Sequence, residues 1–592
     1  MILNIEAIHH QARSSWASAN AGQSVSIRIR TKRDDASAVT LVYGDKYDWA
    51  STLQQAAMDK WISDERFDYW EASVKPPHGR LSYRFHVLST DEHIWYAERW
   101  HKNVPYEDAF GNFEFPYVSI ADVFTPPAWV KDAVFYQIFP DRFANGDPSI
   151  NPKDVEPWGG TPTIDNYFGG DLQGVIDKLD YLAKLGVNAI YFNPLFQAAS
   201  YHKYDTIDYF AVDRHFGDIG TLKRLVSECH KRGIRVMLDA VFNHAGRYFP
   251  PFIDVLENGS ASPYADWFLV HEWPIIDKRG ATTYETFGFE PHMPKFNTAN
   301  PIVRDYLLNV ARFWIEECDI DGYRLDVANE VDHAFWRKFR ELVKALKPDA
   351  YILGEIMHDS MPWLQGDQLD GIMNYPVTDF ILKFMVKDVL DAREFADAVG
   401  GWMALYPHQV NETAFNLLSS HDIPRLLTLC QGNIDRMMLA TMFQFTYPGA
   451  PCIYYGDEVG LTGEGDPDNR KCMEWDESRQ NQELLHFFAQ TIALRKQYEA
   501  LRSGMFRFLQ ASPGSHQIAY ERKNDHEHFI IAMNASPEPQ SLILALPEGH
   551  WQNVWNSKAK LAARTNEGNV TIQLPPYGFQ IFKQTEESSC KH

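Results

Sequence analysis

The chain has 592 residues, 45% hydrophobic and 14% aromatic, enough for three or four domains with sizeable cores and too apolar for a disordered protein. Fifty-six basic residues face 79 acidic ones, a net charge of −23, which argues against nucleic acid or an anionic membrane surface as partner. No run approaches the ~20 apolar residues of a membrane helix, and "MILNIEAIHHQARSSW" lacks the basic-then-apolar pattern of a signal peptide. Cys229, Cys318, Cys430, Cys452, Cys472 and Cys590 form no CxxC pair, so free thiols and a cytoplasmic location are expected.

Residues 1–122 read as β. Alternating runs such as "SVSIRIRT" and "LSYRFHVL" are broken by turn residues, as in a β-sandwich. Trp16, Tyr43, Tyr47, Trp49, Trp61, Tyr69, Trp70, Trp95, Tyr96 and Trp100 fall here. Each is either sandwich core or a flat face for the C–H side of a sugar ring. "TPPAWV", from Thr125, reads as a linker.

The pattern then changes to short apolar runs separated by helical stretches: "AVFYQIF", "AIYFNP", "RVMLDAVFNH", "GYRLDV", "AYILGE", "GIMNYP", "AFNLLSSHD" and "APCIYYGDE". The helical pattern is clear in "PIVRDYLLNVARFWIEECDI", where Val303, Leu307, Val310, Phe313 and Trp314 form one stripe. Eight such strands predict an α/β fold, a parallel (β/α)8 TIM barrel over 123–503. The gap of about 55 residues between "VFNH" and Pro301 is too long for a loop and predicts a subdomain, 243–300, inserted after strand 3. After "ELLHFFAQTIALRKQYEALRSG" the runs "QIAYERK", "HFIIAMN", "SLILAL" and "VTIQL" predict a C-terminal β-sandwich over 504–592.

In such a barrel the site lies at the C-terminal strand ends. The third run ends in Asp239, followed by Asn243 and His244; the fourth carries Arg324 and Asp326; the fifth ends in Glu355; the seventh leads to His421 and Asp422. The second leads into "YHKYDTIDYF", with His202, Tyr204 and Asp205. One carboxylate at a strand end can be a helix cap. Several on adjacent ends repel and lose hydration, a cost that makes sense only if they are used. Arg324 and Asp326, two apart on a strand, share a face. The guanidinium is expected to keep Asp326 ionised and aimed, as a nucleophile needs, while Glu355 is held partly protonated as a general acid. That is the retaining glycosidase pairing, with carboxyls roughly 5 Å apart.

"DAVFNH", "GYRLDVANE", "GEIMH" and "SSHD", in this order, closely resemble the four sequence regions of the α-amylase family of glycoside hydrolases. "MPKFN", from Met293, is similar to the fifth region of its oligo-1,6-glucosidase and neopullulanase groups. With "VANE" and the N-terminal β domain, the chain looks like the subgroup of cyclomaltodextrinase, neopullulanase and maltogenic amylase over nearly its whole length.

The resemblance implies roles. Asp326 matches the nucleophile, Glu355 the general acid and base, and Asp422 the third carboxylate, which holds the sugar. Arg324 matches the arginine that orients the nucleophile. His202, Tyr204, Asp239, His244 and His421 match residues lining the same sugar position, with Tyr204 as stacking platform. Asp466 and Arg470, in "GDPDNRK", match contacts to more distant sugars, and Glu330 lies toward the acceptor. The implied substrates are cyclodextrins and malto-oligosaccharides, with pullulan and starch slower and maltose the main product. The implied assembly is a homodimer through the N-terminal domain.

Two positions depart from the subgroup. Met357 stands where tryptophan is frequent, and Ile423-Pro424 follows Asp422. Both lie toward the acceptor, and losing an indole removes a flat surface. They open a second expectation: a preference for α-1,6-containing cyclic or branched substrates such as cyclic maltosyl-maltose or pullulan, or transglycosylation on the same barrel. The chemistry needs no cofactor. "NGDPSIN" and "YFGGD" resemble a calcium-binding stretch of some relatives, through Asn145, Asp147, Asn151, Gly169 and Asp171, although Ile150 falls where a polar ligand is expected. An Asn/Asp-rich turn is the other reading.

Overall fold

The eight apolar runs become eight parallel strands of one sheet in the computed structural model, which describes residues 3–20, 22–276, 280–556 and 569–585. Cys590, read as a free thiol, lies outside the described residues. The strands are β1 (Phe135–Ile138), β2 (Ala189–Phe192), β3 (Arg235–Ala240), β4 (Gly322–Leu325), β5 (Tyr351–Gly354), β6 (Gly371–Ile372), β7 (Phe415–Asn416) and β8 (Ala450–Tyr454). Each pairs in parallel with its sequence neighbour, β8 pairs with β1, and a parallel bridge from Met373 to Phe415 joins β6 to β7. The sheet is therefore a barrel.

Its strands are mostly apolar because both faces are covered, and the polar exceptions Gln137, Asp239 and Arg324 are themselves buried. Phe135, Tyr191, Met237, Leu353, Phe415 and Cys452 belong to one buried cluster. Gly322 opens β4 because a Cβ there would lie 2.3 Å from the Tyr351 carbonyl oxygen on β5.

The outer helices begin where the sequence supplies caps. Asp218 accepts from Thr221 N at the start of α1 (Ile219–Lys231), Asn300 from Ile302 N at α2 (Pro301–Cys318), and Asp332 from Phe335 N at α3 (His333–Leu346). In α2 the stripe Val303, Leu307, Val310 and Trp314 is buried, while Phe313 is half-buried beside Phe210. The run "LQGVIDKLDYLAKLG" reads as one helix but divides at Lys178 into Leu172–Asp177 and Leu179–Leu185. The segment after β3 holds a helix, Pro250–Asn258, and antiparallel bridges His244–Lys295, Phe268–Phe296 and Thr286–Pro294.

The chain divides into two compact units. One contains Pro126–Thr378 and Glu412–Ser503, which include every barrel strand. The other contains Met1–Thr125, Asp379–Asn411 and Gly504–His592. In its N-terminal part a nine-stranded sheet closes over a core that includes Ile27, Ile29, Leu41, Trp70, Tyr83 and Phe85. The strand Gln54–Ser63 pairs first with Ala38–Gly44 and then, through a bulge between Lys60 and Ile62, with Phe67–Val74, so one strand serves both layers. Tyr43 and Trp70 belong to that core, Trp49, Trp61, Tyr69 and Trp100 are buried outside it, Trp61 against His408, and Tyr47 is 76% exposed. The C-terminal strands form a five-stranded and a two-stranded sheet around Ile530, Leu542, Leu544 and Ile572.

Candidate active site

Strand register sets the centre of the site. Asp239 on β3 lies opposite Arg324 on β4, and Glu355, just past β5, donates its backbone N–H to the Leu325 carbonyl at 3.0 Å. The Arg324 side chain is fully buried. Its Nη1 lies 2.7 Å from Asp326 Oδ1 and 3.1 Å from Asp239 Oδ2, and its Nη2 lies 2.7 Å from Glu355 Oε1. One guanidinium thus holds three carboxylates from three consecutive strand ends, an ion cluster that a fork of donors can organise and a point charge cannot. Glu355 also accepts the Val327 N–H at 3.0 Å. Val327 has φ of 47°, a left-handed conformation uncommon for a β-branched residue, immediately after Asp326.

The sequence reading has Arg324 keeping Asp326 ionised. The structure divides that charge among three acids, and burial dominates: it pushes Asp326 well above the ordinary carboxylate range, with Arg324 opposing and Glu355 and Asp239 adding to the rise. Asp239 is raised by burial against the pull of Arg324. Burial and then Glu355 push Asp422 up to about 7. Asp326, Asp239 and Asp422 thus hold their protons more tightly than free carboxylates do.

A ring of neutral polar groups surrounds it. Tyr204 OH lies 2.9 Å from Asp239 Oδ2 and 2.7 Å from His421 Nε2, and Tyr191 OH lies 2.7 Å from Asp239 Oδ2. Asp239 is therefore not a helix cap. His421 Nε2 is 3.1 Å from Asp422 Oδ1. His244 Nε2 lies 3.2 Å from the Tyr204 carbonyl, and its ring stacks on Phe287. His202 Nδ1 meets Ser200 Oγ and the Tyr204 N–H, each at 3.1 Å. Burial lowers all three histidines, His202 to about 4, His244 to about 3 and His421 well below its ordinary value, so they sit neutral.

Asp466 and Arg470 pair at 3.1 Å and both bond Tyr201 OH, while Arg470 Nε donates to the His421 carbonyl at 3.0 Å. Glu330 pairs at 2.9 Å with Lys295 of "MPKFN", whose amine also donates to Asn243. Met357 is 54% exposed.

Sequence reasoning missed Gln137, Tyr191, Asn193, Tyr201 and Lys295. The signal for two of them was present: Gln137 and Asn193 are polar residues in or beside the apolar runs "AVFYQIF" and "AIYFNP".

At the calcium-like stretch, Asn145 and Asn151 bond each other at 3.1 Å, and a Cβ on Gly169 would lie 2.5 Å from Asn151 Oδ1, so these three converge. Asp171 spends its oxygens on the N–H groups of Gly146, Asp147 and Gly174, and Asp147 bonds Ser149. Among the described residues, no group of three or more His, Cys, Asp or Glu could hold a metal ion. No described helix is long and apolar enough to cross a membrane.

Comparison with known proteins matches residues 137–504 to the alpha amylase catalytic domain, 1–119 to the alpha amylase N-terminal ig-like domain, and 506–581 to the maltogenic amylase C-terminal domain. A cyclomaltodextrinase of Geobacillus thermopakistaniensis is 51% identical over 583 residues, 98% of this chain and 99% of the relative. A solved cyclomaltodextrinase superposes with a TM-score of 0.94 at 50% identity, covering 98% of this chain and all (100%) of that one. A cyclic α-maltosyl-(1→6)-maltose hydrolase from Arthrobacter globiformis superposes with a TM-score of 0.71 at 40% identity, covering 78% of this chain and 100% of that one.

Proposed function

Because the chain belongs to the α-amylase family of glycoside hydrolases, we propose that it is a retaining hydrolase of α-glucosidic bonds in cyclodextrins and related malto-oligosaccharides. It would release mainly maltose and act more slowly on pullulan and starch. The observation that carries this is the pair Asp326 and Glu355 on adjacent nitrogens of Arg324, which keeps the two carboxyls close, as the about 5 Å spacing of retaining enzymes demands. In the first step an Asp326 oxygen attacks the anomeric carbon and Glu355 gives its proton to the departing glycosidic oxygen. In the second, Glu355 takes a proton from water, whose oxygen displaces Asp326. Asp422 and His421 hold the sugar, with Tyr204 beneath it. No metal enters either step.

A timed product profile on β-cyclodextrin, pullulan, soluble starch and cyclic maltosyl-maltose, with Asp326→Asn as control, tests the reading. Rapid opening of β-cyclodextrin to maltose with slow starch is the expected result. The exposed Met357 and the likeness to the cyclic maltosyl-maltose hydrolase favour one second reading, an α-1,6 specialist. Little cyclodextrin cleavage with fast cleavage of the branched ring would establish it. A product profile dominated by longer transfer products would instead indicate a transglycosylase.

The N-terminal part exposes Tyr47 (76%), Val104 (73%), Phe110 (57%), Tyr117 (62%) and Ile120 (75%), apolar surface that a second copy of the chain would cover in a homodimer. Sedimentation of the wild type and of a Tyr117→Lys, Ile120→Asp variant tests this; a wild-type monomer overturns it. Calcium at Asn145, Asp147, Asn151 and Gly169 is proposed as a structural ion, without the expected Asp171, whose oxygens are taken by backbone N–H groups, so chelation should lower Tm and leave the initial rate unchanged. Five buried thiols, Cys229, Cys318, Cys430, Cys452 and Cys472, support the cytoplasm as its location.

A further inference from the structure

Gln137 is a fully buried amide on β1, deep in an apolar strand, and no step above uses it. Its Nε2 makes two contacts, 2.9 Å to His421 Nδ1 and 3.0 Å to Asn193 Oδ1. Its Oε1 is buried with no hydrogen-bond partner. An orphaned buried carbonyl is costly, so what keeps an amide here is its donor side.

A proton count around Tyr204 fixes the direction of every bond. Three groups surround the phenol oxygen: Asn193 Nδ2 at 3.1 Å, His421 Nε2 at 2.7 Å and Asp239 Oδ2 at 2.9 Å. A phenol offers one proton and two lone pairs. With Gln137 donating, His421 Nδ1 accepts and Nε2 carries the hydrogen. Tyr204 then accepts from Asn193 and His421 and gives its own proton to Asp239, with the single Nε2 hydrogen of His421 shared between Tyr204 at 2.7 Å and Asp422 at 3.1 Å.

Turning both amides over breaks this. Gln137 Oε1 would then require a hydrogen on His421 Nδ1, leaving Nε2 bare. Tyr204 would face three acceptors with one proton, and the bare Nε2 would face Asp422 Oδ1 at 3.1 Å, lone pair against carboxylate. With Asp239 and Asp422 ionised only one arrangement works, and it runs from Gln137 through His421 and Tyr204 to Asp239 and so to Arg324.

We propose that Gln137 is a positioning residue that fixes His421 as the Nε2–H tautomer, and thereby fixes Tyr204 as a donor to Asp239 and the imidazole as a donor toward Asp422. It touches no substrate and acts through His421. The kinetic part rests on the glucan-hydrolase reading; the tautomer does not.

Gln137→Glu is the decisive variant, because a carboxylate can only accept and so requires a hydrogen on His421 Nδ1. The expected loss is about 10²-fold in kcat, the cost of a misplacement on the order of 1 Å. KM should stay within about twofold, since uniform binding is untouched, and the pH–rate profile should be displaced as His421 begins to titrate. Gln137→Met, which keeps the bulk without the donor, should lose less activity and show no new ionisation, and it serves if the glutamate variant fails to fold. Independently of turnover, spectra of 15N-histidine-labelled enzyme, with His421 identified through its absence in His421→Gln, should show hydrogen on Nε2 in the wild type. An Nδ1–H tautomer in the wild type overturns the proposal, and so does wild-type kcat with an unmoved pH profile in both variants. If none of the four glucans is cleaved, the functional reading fails and the tautomer measurement still decides the inference.

Discussion

The two terminal nitrogens of Arg324 hold two different carboxylates, Nη1 at 2.7 Å from Asp326 and Nη2 at 2.7 Å from Glu355. Arg324 therefore ties the separation of these two carboxyls to its own geometry, and in the proposed mechanism it would both aim the nucleophile and set its distance from the acid. A lysine can neutralise one of these groups but cannot span both. Arg324→Lys should lower kcat by more than about 10²-fold with a much smaller change in KM, since the lost interaction orients reacting groups. It should also destabilise the fold by roughly 3–5 kcal/mol, as buried carboxylates lose their partner. Steady-state kinetics and denaturant unfolding together check both.

Asp326 shows the opposite balance between stability and function. Burial raises its carboxyl well above the ordinary range. A group whose folded-state pKa exceeds its unfolded value favours the fold below the unfolded pKa, and that contribution is lost as pH rises through the folded value. At neutral pH the ionised form is thus a strain on the fold, and a neutral amide of the same shape removes it. Asp326→Asn should abolish hydrolysis yet raise Tm by a few degrees at pH 7, a gain that fades as pH falls below about 4, the unfolded carboxylate value. Scanning calorimetry at both pH values tests this; a lower Tm at pH 7 would refute it.

Particular residues show where the sequence was legible. The barrel could be read because its strands are buried on both faces, so "AVFYQIF" and "AIYFNP" are nearly continuous apolar runs between helical stripes. That Asp326, Glu355 and Asp422 would come together could be read because charge at the end of such a run is an anomaly, and each of the two aspartates feels Glu355 in the structure. What could not be read was who holds whom. Arg324 was expected to serve Asp326, but its sharing among Asp239, Asp326 and Glu355 depends on parallel register between strands more than 80 positions apart in the chain, at β3 and β4. Likewise Lys295 meets Glu330 only because the inserted segment folds back beside the chain leaving β3, through the His244–Lys295 bridge.

The opposite end of the barrel is held by a different carboxylate. The buried Asp321 meets His230 Nε2 at 2.7 Å, Arg235 Nη1 at 2.9 Å, Lys347 Nζ at 3.1 Å and the Val236 N–H at 2.8 Å. Burial alone would raise its carboxyl, but His230, Lys347 and Arg235 outweigh it and bring it to about 2. A depressed carboxylate contributes stability above its unfolded pKa and loses it as pH falls through the folded value, so the window runs from about 4 down to about 2. Asp321→Asn should cost about 2 kcal/mol at pH 7, with the gap from wild type closing toward pH 2. Urea unfolding across that range measures it, and a gap independent of pH would assign the effect to packing.

Met357 is the position from which substrate choice can be argued. It follows Glu355 by two residues and is 54% exposed, so in the proposed function it is free to meet an acceptor sugar. A flexible thioether adapts to differently angled sugars, whereas an indole offers one flat face on which a ring must lie. Met357→Trp should therefore raise the rate on β-cyclodextrin relative to pullulan and cyclic maltosyl-maltose. An aromatic contact worth about 1 kcal/mol corresponds to a change of roughly fivefold in that ratio. Competition assays with paired substrates measure the ratio directly. If it does not move while both absolute rates fall, Met357 does not set the preference, and Ile423 is the next position to change.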